Sequence, residues 1–340
     1  MDYKKQVLNI LHSTSESRAE MTKKLGITKA YITKITASLI QAGLIEEREI
    51  KDISFGRPQQ MLAVTPGRFF SVNMMLRQSG LQATLNDFNT TRPALAACSR
   101  PLTGLLSPAQ LGDIIMETID TLTEQAPAAR ENILTFSLAL QGGIEQHTGL
   151  VRWCPIFNEE NINLQALLEE RIGIQSNIIN IAHCTSYMLE KTRPGSASWI
   201  AFMPGFGSLG YGYCINGRLG LGDNGFYPEI VHLPYPGGIE QAFFVDDRNK
   251  EATLIKTADA LYFAICCTAP IHNIKCVIVT GELFEDYGEE IIPLTQRLII
   301  DNPNRHINTI RIHHIKAGYN YGTVGLVQIS SDAITDRIIT

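Results

Sequence analysis

The chain offers little for disulfide chemistry: its seven cysteines (Cys98, Cys154, Cys184, Cys214, Cys266, Cys267 and Cys276) are scattered over 340 residues, with no Cys-x-x-Cys pair. That pattern belongs to reduced thiols in a reducing compartment. No stretch of ~18 consecutive apolar residues occurs, so membrane insertion is not expected. The opening MDYKKQVLNILHSTSESRAE lacks a small-residue cleavage site. A cytoplasmic location is the expectation. Charged residues are only 19% and no low-complexity tract is present, which excludes a disordered or collagen-like chain. Hydrophobic residues make up 44%, ample for packed cores in a chain of about two domains at ~150 residues each.

The charge is uneven. Residues 1–68 hold eleven Lys or Arg against seven Asp or Glu, leaving 18 against 27 for the other 272 residues. A small basic module precedes an acidic one. Positive charge near phosphates releases condensed counterions and gives non-specific nucleic-acid affinity, although the same balance also fits a solvated helical surface.

The basic module has the order of a winged helix-turn-helix. KKQVLNIL (4–11) has helical spacing of apolar residues, and Ser17 with Glu20 forms a capping-box pattern before a second helix near 18–25. Gly26 marks the turn and Thr28 caps a third helix, where Ile32, Ile35 and Leu39 form one inward stripe. The other face carries Lys29, Tyr31, Thr33, Lys34 and Ser38, cations and short hydroxyls suited to phosphates and base edges. LIEEREI and MLAVT read as a strand pair flanking a wing, KDISFGRPQQ. In Gly56-Arg57-Pro58, proline fixes the backbone and Arg57 suits the negative potential of a narrow A·T-rich minor groove; an ordinary turn is the alternative.

From residue 69 the chain alternates strands and helices. FFSVNMML and LQATLND form a hairpin across Arg77–Gly80, and Ser107 with Pro108 opens a helix through about Gln125. ILTFSLAL, SNIINIA, SWIAFMP, LGYGYCING, KCVIVTG and TIRIHHI read as strands, and NINLQALLEERIG as a helix. Hairpins mixed with strand–helix crossovers predict an α/β domain of two lobes around a cleft.

Several segments, in order, resemble the repressor branch of the ROK family (repressors, open reading frames and sugar kinases). They are LGITKAYITKITASLIQAGLIEE, FGRPQQMLAV, GIEQHTGLVRWCPIF, GFGSLGYGYCINGRL, GDNGFYPEIVH and GGIEQA, and together they cover nearly the whole chain. The resemblance is nearest to glucose- and N-acetylglucosamine-responsive repressors. It implies a winged helix (1–68) followed by a two-lobed, actin-like sugar-kinase-type domain (69–340). Lobe one would be about 69–182 plus the C-terminal helix, and lobe two about 183–320. Dimers or tetramers are implied as well.

The family's kinase chemistry is absent from the matching positions. The resemblance places the Asp-x-Gly-Gly-Thr phosphate turn at Val72–Leu76, which has neither carboxylate nor glycine, and the Asn-Asp pair bearing the general base at Ile181 and Ala182. A hydrocarbon cannot act as a base. His183, as a strand neighbour facing the other way, is expected in the core. Of the family's zinc site only His232 remains, with no cysteine before Cys266, so no metal and no cofactor are expected. The glycines of GFGSLGYGYCING (Gly205, Gly207, Gly210, Gly212) are expected to serve turns and strand packing, and Trp153 to be buried.

Glu229, His232 and Glu240 match sugar-hydroxyl ligands of the family. Local hydrogen bonding at a turn, and for Glu240 a helix N-terminal carboxylate, is the competing reading. The sequence therefore predicts a non-enzymatic, homo-oligomeric regulator, in expectation a repressor of carbohydrate-related genes on A·T-rich double-stranded DNA. Its controller would be a sugar or sugar-phosphate effector, or alternatively a regulatory protein partner. A residual carbohydrate kinase is the remaining alternative.

Overall fold

A computed structural model describes residues 3–50, 59–193, 198–205, 208–316 and 318–339. Three helices open it: α1 (Tyr3–Ser13), α2 (Arg18–Leu25) and α3 (Lys29–Gln41). They pack on an antiparallel pair, β1 (Ile45–Ile50) and β2 (Gln59–Val64). Local chemistry sets the boundaries. The Ser17 hydroxyl accepts the Glu20 amide at 3.2 Å while the Glu20 carboxylate accepts the Ser17 amide at 2.9 Å, and Gly26 ends α2 in the left-handed region at φ 64°. Residues 51–58, with Gly56, Arg57 and Pro58, lie outside the described residues.

The first lobe runs through β3 (Phe70–Arg77), β4 (Gly80–Asp87), β5 (Ala96–Pro101), α4 (Pro108–Gln125), β6 (Ile133–Leu140), β7 (Gly143–Glu145), β8 (Leu150–Trp153), β9 (Ile162–Asn163), α5 (Leu164–Ile172), β10 (Ser176–Asn180) and α6 (Ile181–Thr192). Its main sheet has the order β5-β4-β3-β6-β10, antiparallel on one side of β3 and parallel on the other. The second lobe contains β11 (Ser198–Gly205), β12 (Ser208–Ile215), β13 (Arg218–Leu219), α7 (Lys250–Thr268), β14 (Cys276–Val279), α8 (Glu282–Asp301), α9 (Arg305–Asn308) and β15 (Arg311–His314). Its sheet, β13-β12-β11-β14-β15, repeats the same pattern of an antiparallel meander followed by two parallel strands. Each sheet has its own hydrophobic core.

The chain then returns. α10 (Tyr321–Ile339) packs against α6, β3 and β6, and its Ile334 enters the core that Val7, Leu8, Leu11, Ile32, Leu39 and Phe88 share. The winged helix is thus seated on lobe one through α10.

Two sequence expectations are corrected here. Strand β10 ends at Asn180 rather than continuing through Ala182, because the Asn180 side chain accepts the Ala182 amide at 2.8 Å and caps α6. His183 therefore lies on a helix, edge-on to Tyr227 and stacked with Tyr187, and burial lowers its pKa to about 4. Val72–Leu76 are interior residues of β3, within the strand that the sequence predicts for FFSVNMML. Asn73 faces α10, donating to Asn86 at 3.0 Å and to Ser71 Oγ at 2.9 Å and accepting from Ser330 at 2.5 Å.

Candidate functional site

Helix α3 is presented by its neighbours. Thr28 Oγ1 accepts the Tyr31 amide at 3.3 Å, while Ile32, Ile35, Thr36 and Leu39 are buried. Arg18 ties α2 to Thr36 of α3 at 2.9 Å and to Glu47 of β1 at 2.5 Å, which fixes the helix orientation. Lys29, Tyr31, Thr33 and Lys34 are exposed, and Ser38 is half-buried. Among the described residues no carboxylate pairs with Lys29 or Lys34. The Thr33 hydroxyl donates to its own helix, at the Lys29 carbonyl, and Tyr31 lies edge-on to Tyr3 with centroids 5.6 Å apart. This face holds two unpaired cations beside an aromatic phenol.

A cavity of about 140 Å³ opens between the lobes. Lobe one contributes the carboxyl ends of its parallel strands: Arg77 at the end of β3, Gln141 and Gly142 after β6, Asn180 at the end of β10, and Ile181, Ala182 and Thr185 of α6. Crevices at such strand ends are the usual ligand positions of open α/β sheets. From lobe two come Met203, Leu209, Tyr211, Tyr227, Glu229, Val231, Glu240 and Glu282. Two glycines permit the close approach that shapes it. Gly142 has φ 132° and a Cβ there would lie 2.2 Å from the Trp153 carbonyl oxygen; Gly281 has φ 114° and a Cβ would lie 2.5 Å from that of Pro204.

Most polar groups on this wall are already engaged. Arg77 and Glu282 form an ion pair at 3.0 Å that spans the two lobes. Asn180 donates to the Gly142 carbonyl at 2.9 Å, Thr280 donates to the Ile315 carbonyl at 3.0 Å, and the Tyr227 hydroxyl donates to Ser186 at 2.5 Å. Glu240 accepts the Leu209 amide at 3.2 Å with one oxygen. Burial, reinforced by the Glu240 charge and opposed by His232, raises the pKa of Glu229. The buried Arg77 Nε–H finds no hydrogen-bond partner among the described residues and stands with the two carboxylates beside an apolar wall, an arrangement that suits a ligand offering both donors and acceptors.

The predicted ligand residues divide. Glu229 and Glu240 meet at this cavity, whereas His232 is exposed, 3.8 Å from Glu229, and outside the cavity wall. Ala182 lies in the wall as a bare methyl. Trp153, expected in the core, is 39% exposed and lines the cavity, because β8 belongs to a small sheet at the rim. Sequence reasoning did not identify Arg77, Tyr211, Tyr227 or Glu282. For two of these a signal existed: Arg77 stands at a hairpin turn, and Glu282 follows a strand and a glycine at a helix start. Gly207 lies outside the described residues.

A profile of the ROK family matches residues 105–254. That segment is similar to a ROK family domain. It is 24% identical over 221 residues to the Escherichia coli K12 protein named DNA-binding transcriptional dual regulator NagC, covering 64% of this chain and 53% of that one. A xylose repressor of Caldicellulosiruptor bescii is 23% identical over 225 residues, 66% of this chain and 56% of its own. The matched region thus spans about half the length of these curated relatives. In fold, the chain is similar to a ROK family transcriptional regulator described as a homologue of the E. coli MLC protein, with TM-score 0.77, 16% identity and coverage of 99% and 98% of the two chains. A ROK hexokinase from Thermus thermophilus gives TM-score 0.57 at 14% identity, covering 79% of this chain and all of that one. The likeness in fold thus extends over both lobes and, in the first of these structures, over nearly the whole chain.

Proposed function

We propose that this protein is a DNA-binding transcriptional regulator, a repressor of carbohydrate-related genes, whose interlobe cavity receives the controlling effector. The observation that carries this reading is the exposed face of α3, where Lys29, Tyr31, Thr33 and Lys34 project from a helix buried on its other side. Such a helix enters the major groove with its cations on phosphates or guanine edges. The relatives named as N-acetylglucosamine and xylose repressors support the carbohydrate connection. Two copies would set two reading helices on one face of an operator with A·T-rich half-sites, and any rotation that spoils their spacing weakens binding. Such a protein works in the cytoplasm, where bacterial DNA lies.

The reading excludes sugar phosphorylation as the main activity. The resemblance assigns the general base to position 182, and the Ala182 methyl in the cavity wall cannot remove a proton. Sugar hydroxyls instead find the carboxylates of Glu229 and Glu240, with apolar contact from Trp153 and Tyr211.

The test is selection of bound sequences from random duplexes, followed by affinity measurement against salt. Lys29→Ala and Lys34→Ala are each expected to weaken binding about tenfold and to reduce the salt slope by about 1 if they contact phosphate. Recovery of no preferred sequence, with both variants equal to wild type, would overturn the assignment. In parallel, a thermal-shift screen with N-acetylglucosamine, xylose and their phosphates should give a hit that Glu229→Ala abolishes. A ligand at 100 times its Kd adds about 2.7 kcal/mol to the folded state. A blank screen in a DNA-binding sample would instead place control with a protein partner.

A further inference from the structure

Helix α6 is placed to join the cavity to the reading head. Its first turns, at Ile181, Ala182 and Thr185, line the cavity, and its last turns carry Tyr187 and Lys191, one helical turn apart. The Tyr187 hydroxyl donates to Asp332 of α10, and Lys191 Nζ lies 3.6 Å from the same carboxylate. Lys191 also donates to Asn9 Oδ1 of α1 at 3.3 Å, with its ammonium 5.2 Å from the Tyr187 ring centroid. A twelve-residue helix, ~18 Å long at 1.5 Å per residue, thus has one end in the cavity and the other on the winged helix.

The helix cannot slide without taking its neighbours along. At Gly325 of α10 a Cβ would lie 2.0 Å from the Cys184 carbonyl oxygen, and at Gly210 of β12 a Cβ would lie 3.2 Å from the Ala182 methyl. Backbone is therefore in near contact with backbone where α6 and α10 cross. On the far side of α10, Gln328 donates to Asp332 at 3.2 Å and accepts from Thr90 at 3.3 Å, while Ser331 and Thr90 meet the two ring nitrogens of His12 in α1 at 3.2 and 3.4 Å. Closely packed interfaces of this kind switch between discrete arrangements and do not deform continuously.

We propose that Tyr187 and Lys191, gripping Asp332 of α10 and Asn9 of α1, are positioning residues that transmit occupancy of the interlobe cavity through α6 to the orientation of the winged helix. The inference rests on reading that cavity as the effector site and α3 as the DNA-reading helix. An occupant that displaces the Ile181–Thr185 turn shifts α6 along its axis. The shift moves the Tyr187–Asp332 and Lys191–Asn9 contacts, and α1, which carries α3 in a common core, moves with them.

The test uses the full chain and no ligand. Ala182→Phe and, separately, Thr185→Met fill the cavity, and hydrogen exchange is followed in α1 and at residues 281–286 on the opposite cavity wall. Either filler is expected to change α1 exchange by about tenfold, within the range of ordinary coupling energies. The change should vanish in a Tyr187→Phe/Lys191→Met background and return when Lys191→Arg replaces Lys191→Met. A merely structural role would lower α1 protection in that background but leave the fillers' effect intact. Equal filler effects in both backgrounds, or no α1 response to either filler, would overturn the proposal. DNA affinity measured on the same variants separates the two readings. Coupled exchange without DNA binding removes the regulator and keeps the linkage, whereas DNA binding without coupled exchange does the reverse.

Discussion

His12 and His183 are imidazoles held neutral by burial, each with its pKa lowered to about 4. Around His12 the charges of Asp332 and Asp87 oppose that shift and Lys191 adds to it, but desolvation dominates. A histidine with a depressed folded-state pKa binds fewer protons when folded, so stability is full above pH ~6.5 and declines as pH falls toward 4. Thermal melts across this window should therefore show Tm flat from pH 8 to 6.5 and dropping below. His12→Gln, which keeps a polar group for Ser331 and Thr90, should make the decline shallower; an unchanged slope would mean that His12 already titrates normally. At this scale, the exposed face of α3 was legible from helical periodicity, and the resemblance singled out Glu229 and Glu240, which the fold brings to one cavity. Trp153 was not. Its side chain is large and apolar, and its exposure depends on a rim sheet that no local pattern announces.

Elements whose ends are set by neighbouring residues were the readable ones. The Ser17–Glu20 and Ser107–Gln110 capping boxes and the Thr28 cap place α2, α4 and α3 where the sequence predicts them. Ser17→Ala should cost about 1 kcal/mol in urea unfolding, by leaving a helix N-terminal amide without its acceptor. Asn180 is the instructive failure: a β-prone run, SNIINIA, is cut short by a carboxamide that caps the next helix. Asn73 could not be understood from its own strand, since its partner Ser330 is 257 residues away. Where α6 crosses α10, Gly325→Ala should destabilise by about 1–3 kcal/mol, because the new methyl meets the Cys184 carbonyl backbone rather than a movable side chain. A variant as stable as wild type would show that the two helices can part.

At the scale of the molecule, the ion pair of Arg77 with Glu282 bridges the mouth between lobes, with both partners about one-third exposed. A pair so placed contributes little to global stability, on the order of 0–1 kcal/mol. Arg77→Met should therefore leave Tm nearly unchanged while increasing the radius of gyration and the exchange of residues 282–286; unchanged scattering and exchange would mean that the lobes are held elsewhere. The two-lobed plan was legible as an alternation of strands and helices, but the repeated sheet order became visible only with the strands paired. The seat of the winged helix has another consequence. Its core is completed by Ile334, and His12 meets Ser331 from 319 positions further along the chain. At synthesis rates of about 5–20 residues per second, the head leaves the ribosome some 15–60 seconds before the helix that seats it. A nascent chain thus carries α3 without its support until α10 has been made, so an element made late in synthesis completes the seat of one made earlier.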